Sequence, residues 1–335
     1  MTFPRMESSA QLRQRLKNFG FSDSAIDAAW PVWWSDAADT SPSAQAELRF
    51  SIARKLGIAS RSLLTEDEPQ FVWRGVARFK HLSGEGSTEQ QVLTSFGVSL
   101  ATMLTAATRP RLSIVGHSAL ELRSTILNRQ PMVRLTDLMG LSWSAGIPII
   151  HLRVFPSARK RMAAMAVRTG ERYAILLAKD AQYPAPIAFY IAHELAHIIL
   201  GHLDGTGAIV DMDVPLTENI SDGEESAADR FALGLLTGSE SPTVLALGAR
   251  TNSINLANVA LAAGPEMGIE PGTLALCFGY STGAWAIVNA AMKRIYTVAN
   301  PVWRAVNQVA ATQLNMDDVS DDARTYLQAV LELPL

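Results

Sequence analysis

The segment from Ile187 to Leu200 constrains the fold of this chain most. It is apolar almost throughout, but His193, Glu194 and His197 interrupt it. Its length suits a buried helix of about four turns. Burying three polar side chains without partners would cost several kcal/mol. The segment therefore predicts a buried helix that needs a polar partner, and a metal ion is a natural one.

The spacing of the two histidines indicates the kind of metal site. His193 and His197 are four residues apart, so they lie on one face of the predicted helix and can bind one ion together. Glu194 lies beside them, where its carboxylate can act as a general base on a water molecule. His-Glu-x-x-His on a helix is typical of zinc peptidases, so the pattern predicts a Zn²⁺ cofactor. The alternative is a chance match in which both histidines are hydrogen-bonded core residues.

A zinc site of this kind needs a third protein ligand and leaves a fourth position for water. Glu225 begins a segment, 225–236, whose apolar residues recur at helical spacing. Asp229 follows one turn later and can accept the second ring N–H of a ligand histidine, which fixes its tautomer. We therefore predict Glu225 as the third ligand and Asp229 as the support of a histidine. Other candidates for the ligand stay open, namely Glu224, His202, Asp204 and Asp211.

Two sequence blocks resemble the ImmA/IrrE metallopeptidases. They are His-Glu-Leu-Ala-His at 193–197 and Glu-Ser-Ala-Ala-Asp-Arg-Phe-Ala at 225–232, where the family usually has H-E-x-G-H and E-x-E-A-N-x-F-A. Ala196 replaces the usual Gly, and Ala-Ala-Asp at 227–229 replaces Glu-Ala-Asn, but neither change removes a ligand. The resemblance covers roughly residues 130–240. It implies a gluzincin-like zincin fold and cleavage of a transcriptional regulator, often a helix-turn-helix repressor, in stress response or mobile-element control.

The rest of the chain predicts an α+β fold that is mostly helical. Strands are predicted at 147–155, 162–168 and 173–179, with Gly170 in a hairpin turn between the last two. Outside the metal-binding segments, helices are predicted at 43–56, 59–64, 253–263 and 284–298, and another near Thr243. We expect a zincin-like domain, with a small mixed sheet and the metal helix, between helical terminal regions. The predicted domains are 1–110, 111–240 and 241–335, and the residues between His197 and Glu225 are expected to form a loop over the cleft.

The helices predicted at 43–56 and 59–64 have the spacing of a helix-turn-helix motif, with Gly57 in the turn. In that motif Arg54, Lys55 and Arg61 would lie near a DNA backbone. An ordinary helical hairpin needs similar residues and is the alternative.

Composition narrows the function classes further. A net charge of −3 and a pI near 6.1 argue against a globally basic nucleic-acid binder. Cys277 is the one cysteine, which excludes an intramolecular disulfide. Together with an N-terminus that lacks a signal-peptide pattern, it predicts a cytoplasmic protein. The apolar stretch 274–288 is short and contains Gly, Ser and Thr, so it predicts a buried helix and no membrane span.

Two classes of function remain. The first is a zinc endopeptidase that acts on a protein substrate, with Tyr190 as the nearest candidate for stabilising the oxyanion and His202 and Tyr183 as others. The second is a DNA- or protein-binding regulator whose zincin domain senses a ligand or is inactive, and a toxin of a toxin–antitoxin pair is a separate rival. Glu194 favours the first, because a binding-only site needs no general base. The pattern at 267–276 predicts packing against the zincin domain or against a second copy of the chain. A homodimer is therefore one possible assembly.

Overall fold

A computed structural model describes residues 7–65, 68–80, 87–110, 113–157, 162–213, 223–243 and 251–333. Within these ranges the protein has an α+β fold, in which helices predominate and the strands form one small mixed sheet. The predicted fold class is confirmed at this level. None of the described helices is both long and apolar enough to cross a membrane.

The sheet contains five strands in the spatial order β1-β5-β3-β4-β2, counted over the described residues. Their bounds are β1 Ala77–Lys80, β2 Ile149–His151, β3 Met162–Thr169, β4 Arg172–Leu177 and β5 Ala208–Met212. β3 is antiparallel to both β4 and β5, whereas β1 is parallel to β5 and β2 is parallel to β4. β1 and β2 are therefore the edge strands of the described sheet.

Two of the three predicted strands are confirmed nearly to the residue as β3 and β4. The turn between them contains Gly170 at a φ of 64°, the left-handed conformation that glycine adopts without strain. The third is shorter than predicted, because the backbone N–H of Arg153 donates to the carbonyl of Val330 and leaves the sheet. The prediction of a continuous loop between His197 and Glu225 is wrong, since β5 lies within it and is buried along its whole length. Residues 214–222 of that stretch lie outside the described residues.

In the first third of the chain, several helices come before the first strand, and a long helix that follows that strand covers the sheet. Their bounds are α1 Ser9–Asn18, α2 Asp23–Ala29, α3 Pro42–Leu56, α4 Ser60–Leu64 and α5 Thr88–Ala106, with a short 3₁₀ helix at Asp36–Thr40. α3 ends at Gly57, whose φ is 71°, so the predicted helix end is confirmed. α5 packs closely on the sheet at Gly97, where an added Cβ would lie 2.5 Å from the Met165 Sδ.

The remaining helices follow the same chain order through to the C-terminus. Their bounds are α6 Ala119–Leu127, α7 Leu135–Ser144, α8 Pro184–Ile199, α9 Gly223–Thr237, α10 Ser253–Met267, α11 Pro271–Thr282, α12 Trp285–Ile295, α13 Val302–Gln313 and α14 Asp321–Leu331, with a 3₁₀ helix at Met316–Asp318. The helices predicted at 253–263 and 284–298 are confirmed as α10 and α12. The one predicted near Thr243 falls largely on residues 244–250, which lie outside the described residues.

The larger hydrophobic core draws on both ends of the chain, with Leu12 from α1, Leu195 from α8 and Leu331 from α14 fully buried in it. A smaller core lies among α10, α11, α12 and the start of α8. The Asn307 amide joins α13 to β2. Its oxygen accepts from the His151 N–H and its nitrogen donates to the His151 carbonyl, both at 2.8 Å. Packing therefore continues across residues 110 and 240, and the domain boundaries placed there stay a prediction.

Candidate metal centre

Helix α8 places His193, Glu194 and His197 in the interior of the protein. The helix begins at Pro184, which fits the first helical turn because it has no N–H to lose. Its apolar residues bury it against the sheet and α9, so the three polar side chains are carried inward with it. Glu194 and His197 are fully buried and His193 nearly so. The Nε2 atoms of the two histidines lie 3.0 Å apart, so both point at one spot.

Helix α9 brings Glu225 to the same spot. Its Oε2 lies 3.3 Å from His193 Nε2, and its Oε1 lies 3.5 Å from His197 Nε2. Glu224, the alternative ligand, points elsewhere, because its carboxylate forms a two-pronged ion pair with Arg78 at 2.8 and 3.0 Å. Of the two neighbouring glutamates, Glu225 is therefore the one that faces the histidines.

Strand β5 contributes a fourth group, Asp211, that the sequence left among the open alternatives. Its Oδ2 lies 3.2 Å from His193 Nε2, and the side chain is almost fully buried. A signal for it was present in the sequence. Asp211 interrupts the apolar run Ala208-Ile-Val-Asp-Met, just as the histidines interrupt the apolar run of α8. A lone carboxylate inside a buried strand needs a partner for the same energetic reason.

The four side chains together fit a metal ion. One ligand atom from each of His193, His197, Asp211 and Glu225 lies within 4.8 Å of the other three. Four of the contacts among them, at 3.0–3.5 Å, are close to the edge of about 3.4 Å expected for a tetrahedron with metal–ligand bonds of about 2.1 Å. Asp211 Oδ1 and both Glu194 oxygens are buried without a hydrogen-bond donor among the described residues. Two imidazoles and two carboxylates with unsatisfied oxygens form a group that could hold a divalent cation.

Two further side chains orient the histidine rings from behind. Asp229 Oδ1 lies 2.9 Å from His193 Nδ1, so the ring N–H donates to that carboxylate and leaves Nε2 facing the centre. His202 Nδ1 lies 2.9 Å from His197 Nδ1, and one of these two nitrogens must carry the proton. If His197 Nδ1 donates, its Nε2 is left with the lone pair that a metal needs. Asp229 thus lies where it was predicted, and His202 lies behind His197 and not in the group itself.

Positive side chains flank the carboxylates on the side of β1. The Lys80 ammonium is buried and lies 3.2 Å from Glu225 Oε1 and 3.3 Å from Glu224 Oε2. Arg78, two residues earlier on the same strand, pairs with Glu224 and donates to the carbonyl of His202. These contacts connect the edge strand of the sheet to α9 and to the chain beyond α8.

The charges of the group set its protonation. Burial lowers the pKa of His193, but the carboxylates of Asp211, Asp229 and Glu225 outweigh this effect and hold that pKa well above its ordinary value. Burial and the neighbouring His193 lower the pKa of His197 to about 4. Burial and the negative charge of Asp211 raise the pKa of Glu194 well above its ordinary value. The pocket thus carries more carboxylates than cations, and a bound divalent cation would favour the ionised form of each carboxylate.

The predicted oxyanion donors lie at different distances from the centre. Tyr190 lies one turn before His193, and burial followed by the charge of Asp213 raises its pKa to about 12, so its hydroxyl stays protonated. Tyr183 directly precedes α8 and stacks on Tyr296 at 5.2 Å, about 15 Å along the helix axis from His193. The sequence reasoning missed Tyr280 of α11, whose ring lies 5.7 Å from Phe189, on the helix face that carries His193.

The three residues predicted to contact DNA do not form one basic surface. The Lys55 ammonium is buried and bonded to Asp322 Oδ1 at 2.6 Å and to the Ala29 carbonyl at 3.0 Å. The expectation that Lys55 faces DNA is therefore wrong, because its charge is satisfied inside the protein. Arg54 pairs with the same Asp322 at 3.0 Å, while Arg61 is exposed on α4, which spans only five residues.

Comparison with protein-family models, with curated proteins and with solved structures finds no match to this chain. The resemblance to ImmA/IrrE peptidases therefore depends on the two sequence blocks around His193 and Glu225.

Proposed function

We propose that this protein is a zinc-dependent endopeptidase that hydrolyses a peptide bond in a protein substrate. The observation that carries the proposal is the buried group of His193, His197, Asp211 and Glu225, with the buried Glu194 next to His193 on α8. Two imidazoles and a carboxylate are a ligand set that zinc peptidases use. Glu194 is costly to bury, and proton transfer at the metal would explain why it is there.

Each residue of the centre has a task in this reaction. His193, His197 and Glu225 would hold the ion, and Asp229 and His202 would fix the two rings in the tautomer that binds it. Bound zinc supplies a Lewis acid that polarises the scissile carbonyl and acidifies water. Glu194 takes the proton from the attacking water and then delivers it to the leaving amine. The protonated hydroxyl of Tyr190 is a donor that could stabilise the developing oxyanion.

The edge strand β1 is the proposed docking site for the substrate backbone. Lys80 of β1 is in register with Asp211 of β5, so this edge ends beside the metal centre. An extended peptide could add to β1 as a further strand, with backbone hydrogen bonds supplying affinity irrespective of sequence. That a transcriptional regulator is the substrate is inferred from the ImmA/IrrE resemblance alone.

Co-expression with helix-turn-helix regulators encoded near this gene, followed by mass spectrometry of their termini, tests the proposal. We expect a new terminus in one regulator with the native chain and none with Glu194→Gln. Identical regulator fragments from both proteins would contradict it.

Asp211 favours a second candidate, a regulator in which the metal is structural or sensory. If the Asp211 carboxylate occupies the fourth position, four protein ligands close the site, as in structural zinc centres. Competition titration of zinc against a dye, with the native chain and Asp211→Ala, distinguishes the two candidates. The endopeptidase binds zinc through three protein ligands, so Asp211→Ala should leave the zinc affinity almost unchanged. A fall in zinc affinity of about 100-fold or more in Asp211→Ala would favour the closed site.

A further inference from the structure

A second pocket, distinct from the metal centre, opens at the other end of α8. It is a cavity of about 720 Å³ where the starts of α7, α8, α11 and α13 converge. None of its lining residues belongs to the metal-binding group. Cavities of about 300–1,000 Å³ are typical of sites for small organic molecules.

Most of the cavity wall is apolar. Side chains of Met132, Leu135, Met139, Ala188, Pro271 and Val302 contribute to it. The first turns of α8 form one side through Pro184, Ala185 and Ala188. A wall of this kind favours a ligand with an aliphatic or aromatic body, because the apolar surface is removed from water on both sides of the contact.

The charged residues of the cavity select the sign of the ligand. Arg134 and Arg304 both line it and are exposed to solvent. Neither guanidinium has a carboxylate within ion-pair distance among the residues that the structure describes. Glu270 is the acidic residue of the lining, and its oxygens are already engaged by the Tyr296 hydroxyl at 2.7 Å and the Thr273 N–H at 2.8 Å. The lining thus carries two guanidinium groups and one carboxylate, with the Arg304 guanidinium 5.4 Å from the centroid of the Trp303 ring, so positive groups outnumber negative ones at the rim.

The direction of the helices adds to this charge. α7, α8, α11 and α13 all present their N-terminal ends, where the partial charge of a helix is positive. Few N–H groups at these ends are free, since Pro184 and Pro186 of α8 have none, the Val302 N–H of α13 donates to the Ala181 carbonyl and Glu270 caps α11. The helix ends therefore add only a general positive potential, and the two arginines are the groups that would pair with an anion.

We propose that this cavity binds a small amphipathic acid, a molecule with one carboxylate and an aliphatic or aromatic body. The body would lie against Met132, Met139 and Val302, and the carboxylate would lie at the rim with Arg134 and Arg304. This proposal is independent of the peptidase proposal, since the two sites share α8 and no ligand residue.

Isothermal titration with octanoate, octan-1-ol and inorganic phosphate on the full chain tests the proposal. We expect one octanoate per chain, with octan-1-ol binding at least about tenfold more weakly because it lacks the charge. Phosphate alone is expected not to bind measurably, because it has no apolar body. Equal binding of octanoate and octan-1-ol, or no octanoate binding at millimolar concentration, would overturn the proposal.

Variants locate the binding in the cavity. Arg134→Gln and Arg304→Gln are each expected to weaken octanoate binding about tenfold. Ala305→Trp at the exposed rim is expected to abolish it by filling the entrance. Arg294→Gln, an exposed arginine of α12 outside the cavity, serves as the matched control and should bind like the native chain. Circular dichroism melts establish that each variant is folded, and undiminished binding in both Arg304→Gln and Ala305→Trp would overturn the assignment.

Discussion

At the scale of single residues, one contact between two ring nitrogens lets His202 orient His197. Its Nδ1 lies 2.9 Å from the Nδ1 of His197, on the side of that ring away from the rest of the candidate metal-binding group. A ligand histidine depends on such a contact, because it fixes the ring orientation and leaves the other nitrogen free to bind. The same logic applies to Asp229 behind His193.

Replacing His202 with Leu is therefore expected to weaken zinc binding by about 10–100-fold without removing a ligand. Competition titration with a zinc-binding dye measures this affinity. His117→Leu is the control, because His117 is exposed and lies apart from the metal centre. Unchanged affinity in His202→Leu would mean that His197 keeps its orientation by other means.

Asp322 is the second residue whose effect can be stated in advance. It lies in the first turn of α14 and accepts from Lys55 at 2.6 Å and from Ser51 at 2.7 Å, so it tethers α14 to α3. Asp322→Asn leaves the buried Lys55 charge without its counterion and is expected to lower the free energy of unfolding by about 3 kcal/mol. Urea denaturation measures this change in the free energy of unfolding. Asp321→Asn, the exposed neighbour, should change stability by less than about 0.5 kcal/mol.

The pH dependence of this effect has a definite sign. Burial raises the pKa of Asp322, but hydrogen bonds from Lys55 and Ser51 outweigh it and hold the pKa below its ordinary value. A carboxyl with a depressed folded-state pKa contributes stability above its unfolded pKa of about 3.9 and loses it as pH falls through the folded value. The difference between native and Asp322→Asn should therefore be full at pH 7 and shrink below about pH 4. A difference that grows in acid would contradict this assignment.

At the scale of elements, the contact between α5 and the sheet depends on Gly97. A methyl group there would lie 2.5 Å from Met165 Sδ and 2.8 Å from its Cε, and Met165 is fully buried. Gly97→Ala is expected to destabilise the fold by about 1–3 kcal/mol, since a buried methionine must shift in a packed core. In contrast, Gly140→Ala on α7 meets no atom within 4 Å and should stabilise by up to about 1 kcal/mol. Thermal melts of the two variants measure both changes in stability. Equal shifts in melting temperature would contradict the claim that Gly97 is needed for close packing.

The metal centre also connects elements that the chain keeps far apart. Its four groups come from α8, β5 and α9. Without an ion the carboxylates of Glu194, Asp211 and Glu225 repel one another in a buried pocket. Adding zinc at 100 times its Kd is therefore expected to stabilise the fold by about 2.7 kcal/mol, and EDTA should reverse the effect. Differential scanning fluorimetry measures the shift, and Glu225→Gln should reduce it.

At the scale of the whole molecule, the sequence predicted best what is local. The helix that carries His193, the hairpin at Gly170 and the helix end at Gly57 each depend on neighbouring residues, so periodicity and turn chemistry were enough. Asp211 stayed one open alternative among several, and Lys55 was misjudged, because their partners lie far away in sequence. Asp211 meets His193 only through the pairing of β5 with β3, and Lys55 meets Asp322 only through the packing of α14. Such contacts need the tertiary fold, which no local pattern encodes.

Glu194 is proposed to perform proton transfer at a metal held by His193, His197 and Glu225. The most direct measurement compares native protein with Glu194→Gln, recording zinc content by mass spectrometry and cleavage of an identified regulator in parallel. Equal zinc content and a fall in the cleavage rate of at least about 100-fold are predicted, because glutamine keeps the shape and loses the base. Cleavage by Glu194→Gln at the native rate, with zinc bound, would contradict the claim.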